Sequence, residues 1–139
     1  MTSSAQEATT PVPASPVRAI IAAHGTLAAG IVSAVDQITG RGSVFRTVSN
    51  SDLCLEDIQT TLARALDETG ARVIFTDLPA GSCTMAVRKL LRVRHDVTLV
   101  TGINLSVLLD FAMQDDVDPV VAAHAAVERG RASMAAHGA

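Results

Sequence analysis

The chain has 139 residues, 48% hydrophobic and 18% charged, with a mean hydropathy of +0.33. That is one ordinary domain able to bury roughly two-thirds of its unfolded surface, and it is not the composition of a disordered chain. Aromatic residues are only 2% and net charge is −3, so neither a base-stacking platform nor a basic surface for nucleic acid or anionic membrane is available.

Residues 1–16 are rich in Ser, Thr, Ala and Pro without periodicity, which predicts a flexible tail, and a domain is predicted over 17–139. From there short apolar runs alternate with stretches of helical period, the pattern of a parallel α/β sheet. Residues 17–23 form the first strand, ending at His24-Gly25. A helix follows with Thr26 as its cap, Leu27, Ile31, Val35 and Ile38 at helical spacing, and Gly40 and Gly42 at its end. Residues 43–49 read as a more exposed edge strand. Leu55, Ile58, Leu62 and Leu66 mark the second helix, capped by Ser51 or Asp52 and closed by Gly70. The third strand, 73–76, runs into Asp77 and the turn Leu78-Pro79-Ala80-Gly81-Ser82, before a helix over about 83–92. The fourth strand, 97–101, leads through Asn104 to an apolar helix over 105–113, and Pro119 opens an Ala-rich helix reaching His137. These units predict a doubly wound, mainly parallel four-stranded sheet with helices on both faces, and the strand order expected for it is 2-1-3-4.

In such a sheet ligands bind beyond the carboxyl ends of the strands where strand order reverses. That rule selects three loops, those holding His24-Gly25-Thr26, Asp77 through Ser82, and Asn104. If the order is 2-1-3-4, strands 1 and 3 are neighbours and His24 and Asp77 face each other. An imidazole is neutral and nucleophilic near pH 7, and a carboxylate partner fixes its tautomer, so the pair is a candidate catalytic site. The main-chain N–H groups at Gly81 and Ser82, with the Ser82 hydroxyl, would hold an anion, and Gly25 leaves room for its approach. Taken singly, His24 is more often a turn residue or cap, Asp77 is equally a turn acid, and Ser82 is equally a helix cap.

Other constellations carry less. Phosphate-loop and dinucleotide-loop glycine patterns are absent, so no bound cofactor is expected. A hydrolase triad of Ser82, His24 and Asp77 lacks the GxSxG elbow. Cys83 and Arg88 stand one residue closer than a phosphatase loop requires, and Cys83 reads as a buried or capping thiol. Cys54 and Cys83 make neither a disulfide framework nor a zinc site, and no metal is expected. His95, His124 and His137 read as surface residues, Met85, Met113 and Met134 as core filling, and the acids Asp115, Asp116 and Asp118 as a solvated loop and cap. No apolar run approaches the roughly 18 to 20 residues that span a bilayer, and the start of the chain lacks a basic and apolar leader pattern, so a cytoplasmic protein is expected.

The blocks AIIAAHGTLAAGIVSAVDQITG, VIFTDLPAGS and VTLVTGINLSVLLDFA, in this order over about residues 18–134, resemble the IIA domain of the mannose-type sugar phosphotransferase system. The resemblance implies a cytoplasmic, typically dimeric phosphocarrier without a cofactor. His24 would take a phosphoryl group from the small carrier protein HPr and pass it to a IIB component, linked onward to membrane IIC and IID components. It implies Asp77 as the orienting carboxylate and Gly25, Gly81 and Ser82 around the phosphoryl group. Where the family commonly has an aromatic residue, a glycine and a proline, this chain has Pro79, Ala80 and Cys83, in the loop that covers the histidine. Two alternatives share the resemblance: a regulatory phosphocarrier or binding module of an incomplete system, and the phosphoryl-donor subunit of a dihydroxyacetone kinase system. The apolar last third of the chain adds a weak physical argument for a homodimer.

Overall fold

In the computed structural model, which describes residues 16–139, the alternation of apolar runs resolves into β1 (Ala19–Ala23), α1 (Leu27–Thr39), a 3₁₀ turn (Gly42–Val44), β2 (Phe45–Ser49) and α2 (Leu55–Thr69), then β3 (Val73–Thr76), α3 (Ser82–Leu90), β4 (Thr98–Val100), α4 (Leu105–Ala112) and α5 (Pro119–Ala132). The tail expected over 1–16 lies outside the described residues, Pro16 apart. The four strands are parallel in the order β2-β1-β3-β4, with Ile20 opposite both Arg46 and Ile74.

Every residue of the two central strands is buried, which is why their sequences are apolar apart from Thr76, whereas the edge strand β2 buries only Phe45 and Val48. One face of the sheet, with Ile21, Val73 and Phe75, packs under α1, α4 and α5 through Val35, Leu108 and Ala122. The opposite face, with Ile20, Ala22 and Ile74, packs under α2 and α3 through Ile58, Leu62 and Val87. The chain's three phenylalanines, Phe45, Phe75 and Phe111, meet in the first layer with ring centroids 5.1–6.2 Å apart, so all its aromatic surface is committed to the core.

Several boundaries differ from expectation for local reasons. β1 begins at Ala19 and β4 is three residues long, the usual fraying at strand ends. The start of the second predicted strand is wound into the 3₁₀ turn, because Gly42 donates its N–H to Asp36 Oδ1 at 3.0 Å and fits against that side chain. Neither Ser51 nor Asp52 caps α2. Leu53 N–H donates back to the Asn50 carbonyl at 3.1 Å, which closes a turn with Asp52 at φ +61° and delays the helix to Leu55 after Cys54. Thr26 stands at the cap of α1 but makes no side-chain cap bond. α5 stops at Ala132, where the Ser133 hydroxyl donates to the Gly130 carbonyl at 2.8 Å.

The three methionines read as core filling are not core. Met85, Met113 and Met134 are 48%, 57% and 77% exposed. The buried stripe of α3 is Cys83, Ala86, Val87 and Leu90, which turns Met85 outward, and the other two lie just past the ends of their helices. Two of the three acids are ion-paired: Asp115 binds Arg41, and Asp118 accepts from Arg72 at 3.0 Å while capping α5, as expected, through the N–H groups of Val120 and Val121. Arginine hydrogen bonds hold both carboxyls below their ordinary range.

Candidate functional site

β1 and β3 are neighbours, so the residues that follow them emerge side by side at one edge of the sheet. His24 and Asp77 are those residues. Asp77 Oδ2 accepts from the main-chain N–H of His24 at 2.9 Å and lies 2.9 Å from His24 Nδ1. The carboxyl is nearly buried, its side chain 9% exposed, while the imidazole is 44% exposed and open to approach. Burial works to raise the Asp77 pKa, but the hydrogen bonds from the His24 main chain and ring, with the attraction of the ring's charge, outweigh it and hold the carboxyl below its usual value. An ionised carboxylate only accepts, so the proton of the neutral imidazole resides on Nδ1 and Nε2 carries the lone pair.

Nε2 faces the start of α3. A Cβ placed on Gly81 would stand 3.3 Å from His24 Cε1 and 3.8 Å from Nε2, and Gly81 has φ +116°, so this position requires glycine both for its backbone and for the approach of the ring. α3 begins at Ser82, directly beside the imidazole, and the first N–H groups of a helix lack intrahelical partners and favour an anion. The loop between Asp77 and α3 is pinned from below by a buried pair. The Thr84 hydroxyl donates to the Leu78 carbonyl at 2.6 Å, and the Thr76 hydroxyl lies 2.7 Å from it.

The structure thus brings together His24, Gly25, Asp77, Gly81 and Ser82, and it leaves Asn104 out. Asn104 caps α4, accepting from Val107 N–H at 2.9 Å, and its amide donates to the Gly130 carbonyl at 3.0 Å. The residue that sequence reasoning missed is Asn50, at the end of β2. Its Oδ1 accepts the Gly25 N–H at 3.2 Å and its Nδ2 donates to Ser82 Oγ at 3.2 Å. The strand-end rule that selected the other loops applied equally to β2 and would have found it. Thr84 carried no comparable signal, because its partner is a main-chain carbonyl.

Alternatives at the site lose support. Ser82 Oγ is engaged by Asn50, and no hydrogen bond among the described residues joins it to His24, so the Ser–His pair of a hydrolase is not formed. Cys83 is buried, and burial first, then the Asp77 charge, push its thiol pKa up, away from a reactive thiolate. Among the described residues no cluster of three or more His, Cys, Asp or Glu side chains is arranged to hold a metal ion.

A family model described as the fructose IIA component of the PTS, the sugar phosphotransferase system, matches residues 18–128. A search among curated sequences finds no match. Among solved structures, the chain is similar to a mannose/sorbose-specific IIA subunit from Enterococcus faecalis, with 18% identity, a TM-score of 0.74, and coverage of 90% of this chain and 96% of that one. It is likewise similar to a PTS IIA protein associated with the fucose utilization operon of Streptococcus pneumoniae, with 19% identity, a TM-score of 0.75, and coverage of 86% and 91%. A sigma-54 interaction domain protein from Enterococcus faecalis has the same fold at 12% identity, with a TM-score of 0.69 and coverage of 86% and 93%.

Proposed function

The chain belongs to the family of fructose- and mannose-type PTS IIA components, and from that premise we propose that it carries a phosphoryl group on Nε2 of His24, received from phospho-HPr and passed to a IIB component. The observation that supports this most directly is the pairing of Nδ1 with Asp77, which leaves Nε2 unprotonated beside Gly81 and the first turn of α3.

The Nε2 lone pair attacks phosphorus in the donor's phosphoimidazole. The donor P–N bond breaks, its electron pair stays with the donor ring, and that ring leaves as neutral imidazole with a proton on its other nitrogen. The His24 ring, protonated at Nδ1 and now bonded to phosphorus at Nε2, gains positive charge that the Asp77 carboxylate offsets. Helix N–H groups at the start of α3 and the Ser82 hydroxyl stabilise the phosphoryl oxygens. The same steps in reverse hand the group to IIB, which phosphorylates sugar arriving through IIC and IID. This reading implies the cytoplasm, and among the described residues no helix is long and apolar enough to cross a membrane.

Incubation with phosphorylated HPr from the same organism is expected to add one acid-labile, alkali-stable phosphate. The label vanishes in His24→Ala and survives substitution of His95, His124 or His137. Acid-stable label on Ser82 overturns the reading. A second reading, a regulatory module that uses the phosphoryl group or a bound partner only as a signal, is favoured by the Pro79-Ala80 loop and by the occurrence of the fold in a sigma-54 interaction domain protein. Stable IIB binding without transfer from phospho-His24 would support it. The proposed assembly is a homodimer, and sedimentation at micromolar concentration is expected to give twice the 14.4 kDa chain mass; a monomer mass refutes it.

A further inference from the structure

We propose that Asn50 is a positioning residue for phosphoryl transfer at His24, holding the Ser82 hydroxyl so that its proton is presented to the phosphoryl oxygens; this rests on the reading of His24 as the phosphoryl acceptor.

Asn50 is tied on every side. Its own N–H donates to the Ala23 carbonyl at 3.2 Å and its carbonyl accepts from Leu53 N–H at 3.1 Å, so the backbone is fixed to β1 and to the turn before α2. The side chain then joins the other two loops of the site. The Gly25 N–H is a donor only, so the amide oxygen faces it and the amide nitrogen faces Ser82. This removes the usual ambiguity in amide orientation.

Two consequences follow for the chemistry. Ser82 Oγ accepts from Asn50, and a hydroxyl has one proton, which is therefore turned away from Asn50 and available to an anion at the start of α3. Gly25, meanwhile, is held from both sides, its N–H by Asn50 and its carbonyl by the Ser49 hydroxyl at 2.8 Å. Its N–H is thus occupied, and its part in the site is to set the main chain next to His24. An aspartate at position 50 would still accept from Gly25 but would also accept from Ser82. It would withdraw the hydroxyl proton and set a negative charge beside the arriving phosphoryl group.

The test follows formation of acid-labile phospho-His24 on the full chain with two donors: phospho-HPr from the same organism, and phosphoramidate, whose P–N bond breaks to release ammonia and which needs no docking surface. In Asn50→Asp the expected kcat falls about ten- to a hundredfold with either donor, the effect of losing a hydrogen bond to a charged group, while KM for phospho-HPr stays within about twofold. Ser82→Ala loses a similar factor, and the combined loss in the Asn50→Ala/Ser82→Ala double variant, which adds no charge, falls well short of the product of its single losses, because both act through one hydroxyl. Should Asn50→Asp not fold, as judged by its melting transition, Asn50→Ala carries the same comparison without added charge. Wild-type kcat in the folded variant, or losses that multiply, overturn the assignment of Asn50 alone. No label on wild-type His24 from either donor overturns the phosphocarrier reading and this assignment with it.

Discussion

Asn50 and Asn104 both follow parallel strands at the same edge of the sheet, yet their side chains do different work. Asn104 accepts from Val107 N–H and donates to the Gly130 carbonyl, so both of its groups are absorbed by the packing of α4 against α5. Asn50 accepts from Gly25 and donates to Ser82, so its groups lie between loops that also carry His24 and Asp77. A polar residue after a strand becomes helix packing when the next element starts at once and its N–H groups are the nearest donors. It joins a site when several loops converge and the nearest partners belong to other strands.

The comparison is broken most severely at Asp77. Asp77→Asn keeps the shape of the side chain but loses the charge that supports the imidazole, and labelling of His24 is expected to slow by about ten- to a hundredfold with the fold intact. An unchanged rate removes Asp77 from the mechanism. The same variant has a pH signature. The Asp77 pKa is lowered on folding, so its contribution to stability is complete above the ordinary value of 3.8 and is lost as pH falls through the lower folded value. Denaturation measured against pH is therefore expected to show the gap between wild type and Asp77→Asn closing below pH 3.8, and a constant gap contradicts the direction of the shift.

The Asn104 region answers to stability instead. A Cβ on Gly130 would lie 1.9 Å from Val107 Cγ2, so Gly130→Ala forces α4 and α5 apart and is expected to cost about 1–3 kcal/mol. Asn104→Ala, which removes the cap, is expected to cost about 0.5–2 kcal/mol. Chemical denaturation reads both, and His24 labelling should proceed at the wild-type rate in each folded variant. Slower labelling would join the two regions into one site and dissolve the comparison.

The architecture was legible in the residues themselves. Continuous apolar runs at 19–23 and 73–75, set against the mixed polar and apolar residues at 45–49, state which strands are covered on both faces, because burial is imposed along the whole strand. The pairing of His24 with Asp77 needed the strand order as well, since only adjacent parallel strands deliver their next residues to one edge; β1 and β3 are neighbours, and the structure brings the two side chains within 2.9 Å. Periodicity does not report which side chains meet across loops. The bridge from Asn50 to Gly25 and Ser82, the pairing of Asp115 with Arg41, and the closure of the turn over 50–53 were decided by tertiary packing. Their partners are distant in sequence, or depend on a turn that no local pattern marks. The outward Met85 teaches the same limit, for apolarity alone does not tell which side of a helix a residue occupies. Strand burial is a property of a residue run and survives in the sequence; a hydrogen bond between loops needs two groups within about 3 Å in a particular direction, and only the assembled fold determines that.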